Sequence, residues 1–150
     1  MRFASFDAEQ SARSTRVRYQ RAELPLKLDC LAAAREFFSS CFAEQDPETE
    51  SLWVAHVDSE GRCVHVSRHL GGRCSVEMPV RDIIVDAARH TSAAILLAHN
   101  HPSGDPKPSE SDLRATRRLA AATDAIDCRL ADHLVFGGPD CTSLRMLGYL

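Results

Sequence analysis

The chain has 150 residues, 44% of them hydrophobic and 26% charged. These proportions exclude a disordered chain or a collagen-like one, and one domain of this length hides roughly two-thirds of its unfolded surface without a disulfide or metal. Its 18 basic and 21 acidic side chains give a net charge of -3, without the basic footprint of a dedicated duplex binder. No apolar run approaches the roughly 18 residues of a membrane span, and the opening MRFASFDAEQ has no apolar secretion core. The six cysteines never stand in C-x-x-C spacing. They read as reduced, core-packing thiols of a cytoplasmic protein, not as a cysteine zinc site.

Residues 1–23 carry Arg2, Arg13, Arg16, Arg18 and Arg21 with poor apolar periodicity. They read as a flexible basic arm, either solvated or touching an acidic partner or nucleic acid, ahead of a domain over 24–150. Asp29 offers an N-cap for a helix over 29–44, with Leu31, Ala34, Phe38 and Cys41 on one stripe. A strand over 51–57, a turn at Asp58-Ser59-Glu60-Gly61 and a returning strand over 63–67 predict a hairpin. After Gly71-Gly72 a third strand is expected near 73–78, then a helix over 80–91 that buries Ile83, Ile84 and Ala87. The continuous apolar run 93–98 predicts a strand covered on both faces. A Pro-, Ser- and Gly-rich loop, a helix over 109–122 and strands near 126–136 and 143–147 complete the chain. This alternation predicts an α/β or α+β class.

The informative stretch is AHNHPSGDPKPSESD, residues 98–112. Side chains two apart on a strand share a face, so His99 and His101 converge at a strand end while Asn100 points away. Neutral imidazole is a common zinc ligand. Asp112 opens the next helix, and a strand–loop–helix path brings its carboxylate back to the imidazoles. Three protein ligands with one position left for water are the layout of a catalytic zinc site. Simpler readings exist for the same residues. The His pair satisfies itself on the surface, Ser109 and Asp112 form a helix capping box, and the prolines stiffen a loop.

His99, His101, Ser109 and Asp112 stand in the order His-x-His, seven residues, Ser, two residues, Asp. This pattern resembles the JAMM (MPN+) metalloprotease signature. The longer HNHPSGDPKPSESD, with Ala131-Asp132-His133-Leu134-Val135 further on, is similar to the RadC-like branch of that group over about residues 48–150. The resemblance implies an α/β fold with a central mixed sheet flanked by helices, of cytidine-deaminase-like architecture, although the H-x-E and P-C-x-x-C spacings of those deaminases are absent. It implies Zn2+ as cofactor, with His99, His101 and Asp112 as ligands and Ser109 as the hydroxyl that helps hold the tetrahedral intermediate. It further implies an upstream glutamate as general base. Glu50, which opens the 51–57 strand, is the choice over Glu48 and Glu44. Asp132 and His133 are expected to orient a ligand or line the substrate groove, or else to form a buried pair that only fixes the fold.

The implied activity is hydrolysis of a peptide or isopeptide bond in a protein or peptide substrate. The competing expectation is an accessory module in DNA transactions with a structural or vestigial metal, its phosphate contacts made by the N-terminal arginines and by Arg114, Arg117 and Arg118. RadC-like proteins usually carry a helix-hairpin-helix region ahead of this domain, and none is expected in the 47 residues before the match.

Overall fold

The computed structural model describes residues 4–11, 14–20, 26–71 and 77–150. Its strands are β1 (Ala4–Ser11), β2 (Ser14–Gln20), β3 (Ser51–Val57), β4 (Cys63–Leu70), β5 (Ala94–Asn100), β6 (Arg129–Gly137) and β7 (Asp140–Ser143). Its helices are α1 (Leu31–Ala43), α2 (Val80–Arg89) and α3 (Glu110–Asp124). Among the described residues all strands form one sheet in the order β1-β2-β4-β3-β5-β6-β7. β5 and β6 run parallel, joined by α3, and the other neighbours are antiparallel. The class is α/β with a mixed sheet flanked by helices.

Alternation along the central strands sorts the core into two layers. Trp53, Ala55 and Val57 of β3, Leu96 and Ala98 of β5, and Leu134 and Phe136 of β6 pack with Ala34, Phe37, Phe38 and Cys41 of α1. Leu52 and Val54 of β3 and Ile95 and Leu97 of β5 pack on the other face with Ile83 and Ala87 of α2 and Leu119 of α3. β5 lies between β3 and β6, and all its residues are buried. That placement explains its unbroken apolar run and aims its C-terminal end at the loop that carries the chemistry.

Several boundaries differ from expectation. Cys30, not Asp29, caps α1, its Sγ accepting from the Ala33 N–H at 3.4 Å. Leu31 is therefore in the first turn and exposed, while Phe37 takes a place in the core. The second hairpin strand runs on to Leu70. Most of the strand expected near 73–78 lies outside the described residues, and residues 77–78 are not in a strand. The last strand is β7, and residues 144–148 form turns in which Leu147 N–H donates to Ser143 C=O and Tyr149 N–H to Leu144 C=O. Residues 4–11 and 14–20, read as part of an arm, hold strands, with β2 paired to β4. Thr15, Val17 and Tyr19 alternate there with Arg16, Arg18 and Gln20, a period-two pattern that the arginine count had overshadowed.

Candidate metal centre

His99 is the penultimate residue of β5 and faces α3, like Ile95 and Leu97 before it. Asn100 turns the other way, accepting from Ser51 N–H at 2.9 Å and donating to Thr49 C=O at 3.0 Å. His101 opens the loop, its N–H donating to Phe136 C=O at 2.7 Å and tying the loop to β6. The chain then enters α3 through a capping box. Ser109 N–H donates to Asp112 Oδ2 at 2.7 Å, and Asp112 N–H donates to Ser109 Oγ at 3.0 Å.

The capped carboxylate also meets the imidazoles. Asp112 Oδ1 is 3.3 Å from His99 Nε2 and Oδ2 is 3.2 Å from His101 Nε2, and the two Nε2 atoms are 2.9 Å apart. Cap and ligand cluster are thus one structure, not rival explanations of Asp112. Glu50 supplies a second carboxylate: one ligand atom each from Glu50, His99 and His101 lie within 4.8 Å of one another. Its rivals are elsewhere. Glu44 is the exposed C-cap of α1, and Glu48 is exposed in a turn where its N–H donates to Asp46. A cavity of about 40 Å³ bounded by Glu50, Leu52, Met78, His99, Asp112 and His133 adjoins the cluster, room for about one water at roughly 30 Å³.

The hydrogen-bond network fixes which ring nitrogens carry protons. Thr116 Oγ1 is 2.6 Å from Asp112 C=O, a pure acceptor, so the single hydroxyl proton lies there. His133 Nδ1, 2.7 Å from the same Oγ1, must then donate to it, which leaves His133 Nε2 as an acceptor. His99 Nδ1, 2.7 Å from that Nε2, donates in turn. Burial holds the His133 pKa well below its ordinary value, so its ring is neutral. His101 Nδ1 likewise donates to Asp105 C=O at 2.8 Å.

Both ligand imidazoles therefore present Nε2 lone pairs to each other and to a carboxylate. Such a convergence of acceptors is repulsive until a cation occupies it, and two imidazoles with carboxylate oxygens suit a borderline divalent ion. Burial by itself would raise the Asp112 pKa, while the Ser109 N–H that donates to Oδ2 favours the ionised carboxylate. The donor set is anionic and fits a divalent metal.

His133 thus reaches the site, whereas Asp132 does not. Adjacent strand residues face opposite ways, and Asp132 turns to the far face. There it accepts from Ser143 Oγ at 2.5 Å, His133 N–H at 2.7 Å and Arg145 N–H at 3.1 Å, holding the turn after β7.

Two contributors were missed in the sequence. Thr116 lies one helical turn after Asp112, an i,i+4 spacing on α3 that was the available signal. Gly137, at the end of β6, leaves room for the His101 loop: a Cβ there would stand 2.4 Å from Pro106 N and 2.6 Å from both the Asp105 carbonyl carbon and Gly104 O. His56, His65 and His90 pack together near Asp86, with the His65 and His90 rings stacked at 4.1 Å. Among the described residues it is the Glu50–His99–His101 group whose ligand atoms converge on one point.

A mixed α/β sheet whose parallel strand delivers two imidazoles, and whose following helix delivers an aspartate through its cap, defines a domain of the JAB (MPN) class. A family model described as RadC-like JAB domain matches residues 28–149, and the chain belongs to that family. The match starts at 28 rather than near 48, because α1 is part of the same core. A UPF0758 protein of Cellvibrio japonicus (strain Ueda107) is 46% identical over 102 residues, covering 67% of this chain and 46% of that protein. A UPF0758 protein of Desulforudis audaxviator (strain MP104C) is 33% identical over 102 residues, covering 67% of this chain and 44% of that protein. The chain spans less than half the length of either relative.

Proposed function

We propose that this domain is a zinc-dependent hydrolase of peptide or isopeptide bonds that works in a reducing cytoplasm. The observation that carries the reading is the pair of Nε2 lone pairs locked toward the Asp112 carboxylate by two separate hydrogen-bond chains. His99, His101 and Asp112 would hold the ion. Bound there, zinc supplies Lewis acidity, polarising a carbonyl and lowering the pKa of a water to roughly 7.

The remaining chemistry belongs to side chains of this domain. The Glu50 carboxylate takes the proton shed by the attacking water and returns it to the leaving amine nitrogen. Ser109 Oγ already accepts from the Asp112 N–H, so its own O–H is available to donate to the oxyanion developing on the scissile carbonyl. Water is the nucleophile, and Ser109 forms no covalent bond.

The test is cleavage of isopeptide-linked and linear peptide substrates by the zinc-loaded chain and by Glu50→Gln. The variant should keep its metal and lose at least about 100-fold in kcat, the low end for general acid–base catalysis. Metal-loaded chain that cleaves none of these substrates contradicts the hydrolase reading. Glu50→Gln with unchanged kcat contradicts the role of Glu50.

A further inference from the structure

A second cavity, about 350 Å³, lies on the α1 side of the sheet end and is bounded in part by Phe42, Ala43, Pro47, His101, Pro102 and Phe136. It is in the lower part of the roughly 300–1,000 Å³ range of small-ligand sites. His101 is the residue it shares with the candidate metal centre: its Nε2 faces His99, and the same residue lines this cavity. A chain laid across the metal would therefore place a neighbouring side chain in it.

The lining has a definite chemistry. The Phe42 and Phe136 rings meet at 5.0 Å between centroids, tilted by 48°. The two amide side chains on its wall are turned inward. Gln45 Oε1 accepts from Ser51 Oγ at 2.7 Å and Trp53 Nε1 at 3.1 Å, and its Nε2 donates to Thr49 C=O at 3.2 Å. Asn100 is engaged by Ser51 and Thr49. Among the described residues, no Asp, Glu, Lys or Arg lines the cavity. A charged side chain entering it would lose water without gaining a counter-ion, whereas an apolar one would gain about 25 cal/mol for each Å² it hides.

We infer that this cavity is a specificity subsite, which takes a bulky apolar side chain of the substrate next to the scissile bond and rejects a charged one. The substrate meaning rests on the hydrolase reading, so the test measures binding alone. The zinc-loaded chain is titrated with N-acetyl-phenylalaninamide and with N-acetyl-lysinamide while the backbone amide signals of Gly104 and Gly138, both on the cavity wall, are followed by NMR.

The phenylalanine probe should shift both signals and bind at least about tenfold more tightly than the lysine probe. Ala43→Trp, at an exposed position at the end of α1, should fill the cavity and abolish those shifts. Ser39→Trp, also exposed on the wall, serves the same purpose if the first variant misfolds. Equal affinity for the two probes, shifts confined to other parts of the chain, or full binding to the filled variants would overturn the assignment. A chain that binds the phenylalanine probe in this way but cleaves nothing supports the subsite and removes only the hydrolase reading.

Discussion

Gly137→Ala tests the support of the candidate metal centre without touching a proposed ligand. The new Cβ would sit 2.4 Å from Pro106 N and 2.6 Å from the Asp105 carbonyl carbon and Gly104 O. All three are loop backbone, so no side chain can rotate away. Carbon contacts are comfortable at roughly 3.5 Å, so the loop must retreat by about 1 Å. The Asp105 C=O that orients His101 Nδ1 stands at 2.8 Å, and a retreat of that size takes it beyond hydrogen-bonding range. His101 then loses the contact that sets its tautomer, while the Thr116–His133–His99 chain on the other side of the site stays whole. Losing such an orienting partner typically lowers metal affinity by about 10–100-fold. The assay is zinc competition against a chromophoric chelator, with far-UV circular dichroism to show that the fold persists. A folded Gly137→Ala chain within about twofold of wild-type affinity would refute the reasoning, because the clash would then have been absorbed away from His101.

Three further outcomes follow from the same geometry. Thr116→Val keeps the shape of the side chain but removes the hydroxyl oxygen that accepts from His133 Nδ1, so zinc affinity should fall by about 10–100-fold, whereas Thr116→Ser should restore it; equal affinities in the competition assay would break the chain of assignments. Asp132→Ala removes an acceptor of hydrogen bonds from Ser143, His133 and Arg145, so urea unfolding should show a loss of about 1–3 kcal/mol with zinc stoichiometry unchanged, and loss of metal instead would place Asp132 back in the site. Burial first, with Cys63 and Glu44 adding, pushes the Cys41 thiol up to about 12, and burial pushes Cys141 up to about 11. At pH 8 both remain thiols, so site-resolved iodoacetamide labelling should modify exposed Cys30 well before either, and preferential labelling of Cys41 would contradict its burial.

The clustering of His99, His101 and Asp112 was legible because it is local. His99, His101, Ser109 and Asp112 sit on one strand–loop–helix unit, where strand periodicity and a helix cap are enough to predict convergence. Glu50 could not be separated from Glu48 and Glu44 by spacing, since what selects it is the antiparallel pairing that sets Leu52 opposite His99. The support was less legible for the same reason. His133 and Gly137 reach the site through the parallel β5–β6 pairing, with Leu97 opposite His133 and His99 opposite Val135, a register no local pattern encodes. The expectation that paired Asp132 with His133 overlooked strand alternation, which sends neighbours to opposite faces. The cap of α1 slipped by one residue because Asp29 is the better capping residue by propensity, yet the chain there is already committed to other contacts, with Leu28 N–H donating to Gly61 C=O at 2.8 Å.

The most direct measurement of the central claim is zinc content with the ligand shell read by X-ray absorption on the purified chain. The expected result is one zinc per chain, surrounded by nitrogen and oxygen with a two-imidazole signature and no sulfur, and lost in Asp112→Ala, His99→Ala and His101→Ala. A chain that takes up no divalent metal, that binds it through cysteine sulfur, or that keeps it when His101 is replaced would contradict the account.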